Sequence, residues 1–230
     1  AYTETEMDSF YTLRSLAQTK SSASRLSQQL ISYLPHHVRC DIYSPPEEIN
    51  SIRDIDVLLV GRCHKSLYPL RARWARLVHE NRWTNAVHFA VPYGLKEKWT
   101  ESERIHQQQE YANLLSRARI VLSCSSHWRY MLGKFTEIAA SGSFLISDVP
   151  THLPIEFSNN MGIVSNQMSD SELIEVVNYW LNNTQERERR TNRLGVFVRG
   201  QMDMRWFWKK VDDAVLRWKQ AYTSGVRISV

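Results

Sequence analysis

From residue 38 onward, short apolar runs of strand length alternate with segments of helical period, and that alternation restricts the chain to an α/β architecture. The runs VRCDIY (38–43), IDVLLV (55–60), AVHFAV (86–91), ARIVLS (118–123), FLIS (144–147) and GIVS (162–165) predict six strands. Between them, residues 68–80 set Leu70, Trp74, Leu77 and Val78 on one helical stripe, and residues 103–116 also read as helix. A helix over 130–141 turns Phe135, Ile138 and Ala139 to a core and is stopped by Gly142; another starts near Asp170, capped by Ser169 or Asp170. Strands apolar enough to be buried on both faces predict a Rossmann-like parallel sheet with helices on both faces. Residues 19–34 read as a further helix.

Sheets of this kind bind ligands beyond the carboxyl ends of their strands. That rule selects the loop from Gly61 to Lys65, Tyr93, the segment from Ser125 to Arg129, and the segment from Asp148 to His152. Gly61 lets backbone approach a ligand closely, while Arg62 and Lys65 carry charge suited to a diphosphate. Arg71 and Arg73, further into the next helix, read as surface charges, with Arg71 within reach of the loop. In GKFTEIAASGSFLISDVP (133–150), Lys134 and Glu137 lie three apart on a stripe of their own. A carboxylate there can accept both ribose hydroxyls while the cation and free helix N–H groups hold a diphosphate. Spacing alone favours the plainer reading, a solvated ion pair.

Other chemistries find less support. Ser125, Ser126 and His127 lack a GxSxG elbow, and the eight histidines show no metal-ligand spacing. Cys40, Cys63 and Cys124 are far apart and read as reduced thiols in a cytoplasmic setting. A net charge of +5 suits a phosphate-bearing partner but is too mild and dispersed for nucleic acid. RERR (187–190), interleaved with acids, reads as a solvated helix face. No run reaches the ~18 apolar residues of a membrane span. The first strand is not followed by GxGxxG, which argues against a dinucleotide enzyme such as an epimerase.

The order of these segments resembles the donor-binding domain of group 1 glycosyltransferases, most of all the branch similar to the spore maturation protein CgeB. DIDVLLVGRCHKSLYPLR (54–71) is similar to the first strand and phosphate-side loop, GKFTEIAASGSFLISDVP to the donor motif, and residues 171–208 to the helical tail. The resemblance implies the donor half of a GT-B fold and a metal-independent glycosyltransferase without cofactor. Such an enzyme moves a sugar from a nucleoside diphosphate (UDP or GDP) to a glycan, lipid or small-molecule acceptor. It implies Glu137 on the ribose, with Gly61, Arg62, Lys65, Arg129 and Lys134 on the diphosphate and Tyr93 and His127 as contacts to sugar or base. The catalytic base is assigned to the other half. Many retaining members carry a Glu eight residues before the ribose-binding one, where this chain has Arg129. That departure keeps a second reading open, a non-catalytic binding or scaffold module on the same fold.

At 230 residues the chain is short for two full α/β domains. The expected division is an extension or acceptor-half remnant (1–50), the nucleotide-sugar domain (51–200) and a Trp-rich helix (201–230), with an acceptor-binding domain missing from the same polypeptide. In the tail, Met204, Trp208, Val211, Val215, Trp218 and Tyr222 form one stripe that reads as core-packed, with Trp206 and Phe207 off it.

Overall fold

The computed structural model describes residues 36–45, 53–90 and 99–223. The expected helix at 19–34, together with Tyr93, lies outside them. Residues 35–207 form one compact unit, and residues 1–34 with 208–230 form another.

The first unit is built on five parallel strands in the order β2-β1-β3-β4-β5. These are β1 (Ile55–Val60), β2 (Ala86–Phe89), β3 (Ala118–Leu122), β4 (Phe144–Ser147) and β5 (Gly162–Ile163). They alternate with α1 (Pro69–His79), α2 (Glu101–Arg117), α3 (Gly133–Ala140) and α4 (Ile155–Asn160); after β5 come α5 (Asp170–Asn182) and α6 (Thr184–Gln201), and α7 (Met204–Thr223) starts in this unit and runs on into the residues of the other. Pairing is parallel throughout, with Leu58 opposite Val87 and Val121, and Leu145 opposite Val121. Successive side chains of β1 therefore serve different cores. Leu58 and Val60 pack with Leu115, Phe135, Ile138, Phe157 and Leu194, whereas Val57 and Leu59 pack with Trp74, Leu77, Leu173, Val177 and Trp180. Both faces are covered, as the apolar runs required.

Local chemistry sets the helix boundaries. Pro69 opens α1. Thr100 with Glu103, and Ser169 with Glu172, form capping boxes that start α2 and α5. Gly142, at φ 70°, closes α3 where an added Cβ would meet Arg53 Nη2 at 3.0 Å. Arg53 is itself largely buried, donates to the Ala118 carbonyl (2.6 Å) and Ser143 Oγ (3.0 Å), and has its pKa pushed down to about 10 by burial.

Four expectations change. VRCDIY is not a strand: Val38 makes a single bridge to Asp203, and the Ile42 and Tyr43 amides both turn back to the Arg39 carbonyl. Its apolar spacing arises because Val38 and Tyr43 are buried from either end of that turn. The α3 helix starts at Gly133 rather than Tyr130, because Leu132 is extended (ψ 151°). In RERR, Arg187 is buried and donates to the Trp180 (2.6 Å) and Leu181 (2.9 Å) carbonyls, so it closes α5, while Arg189 and Arg190 pair with Glu186. In α7, Trp208 and Val215 of the supposed core stripe are exposed.

Asp203 fastens the segment leading into α7. Its carboxylate accepts from Arg205 Nε (3.1 Å), Arg205 Nη2 (2.9 Å) and the Arg205 amide (2.9 Å). The Arg205 guanidinium holds its pKa down to about 2. The unfolded chain binds that proton more readily, near pH 4. The contribution is therefore complete above about pH 4 and is lost as pH falls through about 2. We expect acid unfolding of Asp203→Asn, followed by circular dichroism, to be shallower than wild type between those limits.

Candidate functional site

The sheet reverses its winding direction beside β1, which is flanked by β2 on one side and β3 on the other. At such a switch point, loops leaving neighbouring strands diverge and open a crevice. The loops after β1 and β3 do this here.

Gly61 follows β1 directly, at φ 96°. Its amide donates to the Phe89 carbonyl (2.9 Å), and its own carbonyl lies 3.1 Å from His88 Nε2. That imidazole also reaches Cys63 Sγ (3.6 Å) and His79 Nε2 (3.5 Å). The Cys63 thiol is pushed up in pKa by burial. Gly61 leaves space as well as flexibility: an added Cβ would lie 2.9 Å from Arg71 Nη1 and 3.1 Å from Lys134 Cε. Two cations thus pack across one α-carbon.

Arg71 is the unexpected member. It is 2% exposed, against the surface position expected from sequence, because α1 starts at Pro69 and the side chain leans back over the loop. Nη1 donates to the Arg62 carbonyl (3.2 Å), and the guanidinium stacks on Tyr68 at 4.1 Å. Nε and Nη2 are buried without a hydrogen-bond partner, and no carboxylate among the described residues pairs with the charge. A buried cation with idle donors is costly unless an anion completes it. Ser123 Oγ and Ser126 Oγ, in the loop after β3, are likewise buried and unpartnered. Cys124 between them has its thiol pushed up to about 11 by burial, against the influence of Arg71.

Opposite stands the N-terminus of α3, whose N-cap Leu132 supplies no side-chain cap. The Phe135 amide bonds back to the Leu132 carbonyl (3.0 Å), and the helix dipole at this end favours negative charge. Lys134 projects from this first turn, its Nζ 4.9 Å from the centre of the Tyr111 ring. One turn on, Glu137 Oε2 accepts from the Tyr111 hydroxyl (3.0 Å), which fixes the carboxylate beside Lys134. Burial, reinforced by Glu137, raises the Tyr111 pKa well above the ordinary phenol value, so it remains a donor. Phe89 stacks on Tyr111 (5.7 Å, 13°) and Tyr43 meets it edge-on (5.9 Å).

Of the residues chosen from sequence, Gly61 and Lys134 meet at Arg71, and Glu137 joins them through Tyr111. Arg62 contributes its carbonyl to Arg71. Lys65 lies exposed on the turn after Arg62. Arg129, at φ 55°, donates to the Val149 carbonyl (3.2 Å). His127 is exposed, with its amide on the Leu67 carbonyl (2.8 Å). Arg73 points elsewhere, to Asp170 and to the Asn166 and Met168 carbonyls near the start of α5. Asp148 holds the loop after β4 to the loop after β3 by accepting from the Ser125 amide (2.6 Å) and hydroxyl. Arg71 and Tyr111 were missed as site residues. Arg71 was detectable as a charge three residues before Trp74 and seven before Val78, inside an otherwise apolar stripe.

Among the described residues no group of three or more His, Cys, Asp or Glu side chains is placed to hold a metal ion. No helix among them is long and apolar enough to cross a membrane.

A family model described as glycosyl transferase-like matches residues 47–210. Among solved structures, a sucrose-phosphate synthase from Thermosynechococcus elongatus is similar with a TM-score of 0.53 at 13% identity, over 83% of this chain and 51% of that one. The C-terminal domain of a group 1 glycosyl transferase (LpcC) from Francisella tularensis aligns at 15% identity and a TM-score of 0.49, over 73% of this chain and 99% of that domain. The chain thus spans about half the length of the synthase. Curated protein sequences give no match. The likeness is one of fold: a Rossmann-like parallel sheet of the kind that forms the donor half of a GT-B enzyme.

Proposed function

The chain belongs to the glycosyl transferase-like family, and on that premise we propose that it binds a nucleoside-diphosphate sugar and transfers the sugar to a glycan, lipid or small-molecule acceptor. The observation that carries this reading is Arg71, a buried cation whose Nε and Nη2 have no partner. With Lys134 and the uncapped α3 N-terminus, it would hold the diphosphate. Glu137, fixed by Tyr111, would take the ribose hydroxyls. Arg62 is assigned beside the diphosphate, and Lys65 and Arg129 to an outer rank of cations that draws the donor in.

As the glycosidic bond breaks, negative charge grows on the departing diphosphate. Donors already fixed around it would stabilise that charge without reorganising. The reaction in this reading needs no metal, since Arg71 and Lys134 supply the positive charge. Within the family we place the chain in the CgeB-like branch and in the cytoplasm, with which three free thiols agree. The division at residues 1–50, 51–200 and 201–230, with the acceptor side and the general base supplied by another domain, belongs to the same proposal.

Thermal unfolding with UDP, GDP, TDP or CDP tests it. Ligand at a hundred times its dissociation constant should stabilise by about 2.7 kcal/mol. We expect such a shift for one base, strongly reduced in Glu137→Ala. Absence of a shift with all four would refute the donor site. Binding without hydrolysis or transfer in the presence of acceptors would instead assign the non-catalytic module that Arg129, in place of a carboxylate, already suggests.

A further inference from the structure

The Gly61 carbonyl is held by a side chain that lies outside the cradle. His88, third in β2, stands in register with Leu59, which packs with Trp74 and Leu77 of α1. A half-buried imidazole on a face that alternation gives to the apolar core needs hydrogen-bond partners. Its Nε2 lies 3.1 Å from the Gly61 carbonyl oxygen and its Nδ1 3.5 Å from His79 Nε2. A carbonyl oxygen can only accept, so that approach puts the proton on Nε2 and, in the neutral ring, leaves Nδ1 to accept from His79. The two rings meet edge-on, 5.7 Å apart with planes at 86°. Cys63 Sγ, 3.6 Å from the same Nε2, is closer to the Arg71 carbonyl (3.5 Å) than to the Gly61 oxygen (3.9 Å), so the imidazole is the main donor to that oxygen.

Two consecutive carbonyls of the loop are thus claimed by side chains from different elements: that of Gly61 by His88 of β2, and that of Arg62 by Arg71 of α1. The Gly61 amide is tied to the Phe89 carbonyl, next to His88. At φ 96° a glycine puts no side chain in the way of rotation of the peptide that follows it. Turned over, the Gly61–Arg62 peptide would aim its oxygen away from β2, on the side where Arg71 Nη1 and Lys134 Cε crowd the Gly61 α-carbon. An oxygen there would occupy the donors meant for a phosphate and repel the phosphate itself. We propose that His88 is a positioning residue for diphosphate binding: by holding the Gly61 carbonyl to β2, it keeps carbonyl oxygen out of the crevice between Arg71 and Lys134. This rests on the donor reading of the cradle.

The test compares wild type with His88→Phe, which keeps a ring and loses the donor, and His88→Gln, which returns an N–H near the place of Nε2. Two quantities are read well below the melting temperature of each protein. One is the carbonyl carbon resonance of Gly61 in the ligand-free, 13C-labelled protein, which should move in His88→Phe and return towards its wild-type position in His88→Gln. The other is calorimetric affinity for whichever of UDP, GDP, TDP and CDP binds wild type, which should fall about three- to tenfold in His88→Phe and recover in His88→Gln. A resonance that moves while affinity holds would overturn the positioning role and leave His88 a structural contact. An equal loss of affinity in both variants would assign the effect to packing of the ring and overturn it as well. If no diphosphate binds wild type, the donor reading fails and the positioning role fails with it.

Discussion

Arg71→Met should make the ligand-free protein harder to unfold while removing most of its affinity for a nucleoside diphosphate. The two effects have one origin. A guanidinium 2% exposed, with two buried donors unpartnered, has given up hydration without regaining it in a salt bridge. Replacing buried charge by an apolar side chain of similar reach is commonly neutral or stabilising, by ~1–4 kcal/mol. Met also keeps contact with Tyr68 and fills the same space. Loss of a desolvated contact to phosphate costs ~2–5 kcal/mol, so affinity should fall at least about thirtyfold. Denaturant unfolding and calorimetry on one preparation would read both. Destabilisation with unchanged affinity would make Arg71 a structural brace tied to the Arg62 carbonyl.

Gly61→Ala should damage fold and site together. At φ 96° an alanine is strained wherever space allows it, and here space is also lacking. The new Cβ would press on Arg71 Nη1 and Lys134 Cε, the two side chains assigned to the diphosphate. Lys134 can swing away, whereas Arg71 is enclosed. Strain of this kind costs ~1–3 kcal/mol. We expect a lower melting temperature together with weaker diphosphate binding that does not recover when the protein is assayed well below its melting temperature. Recovery there would mean that only stability was affected.

Much of this was readable from residue patterns, for identifiable reasons. The runs at 55–60 and 144–147 are strands over their whole length because burial on both faces keeps them apolar apart from Asp56 and Ser147 near their ends. Ser169 and Glu172, three apart before an apolar stripe, announce their own capping box. VRCDIY misled because a turn that buries its two ends imitates a short strand. The cradle was half legible. Gly61, Lys134 and Glu137 carry types suited to their roles, but Arg71 reaches the loop only because Pro69 fixes where α1 begins and the Arg71 side chain runs back along it. Tyr111 is 26 residues from Glu137 and meets it only through packing of α2 beside α3. Sequence spacing contains no information about that contact.

The most direct measurement is calorimetric titration of wild type and Arg71→Met with a nucleoside diphosphate and the matching monophosphate. If the buried guanidinium is the anchor, wild type should prefer the diphosphate by at least tenfold and the variant should lose most of that preference. Equal affinity for the two nucleotides in wild type, or a preference that survives in Arg71→Met, would contradict a diphosphate site between Arg71, Lys134 and the start of α3.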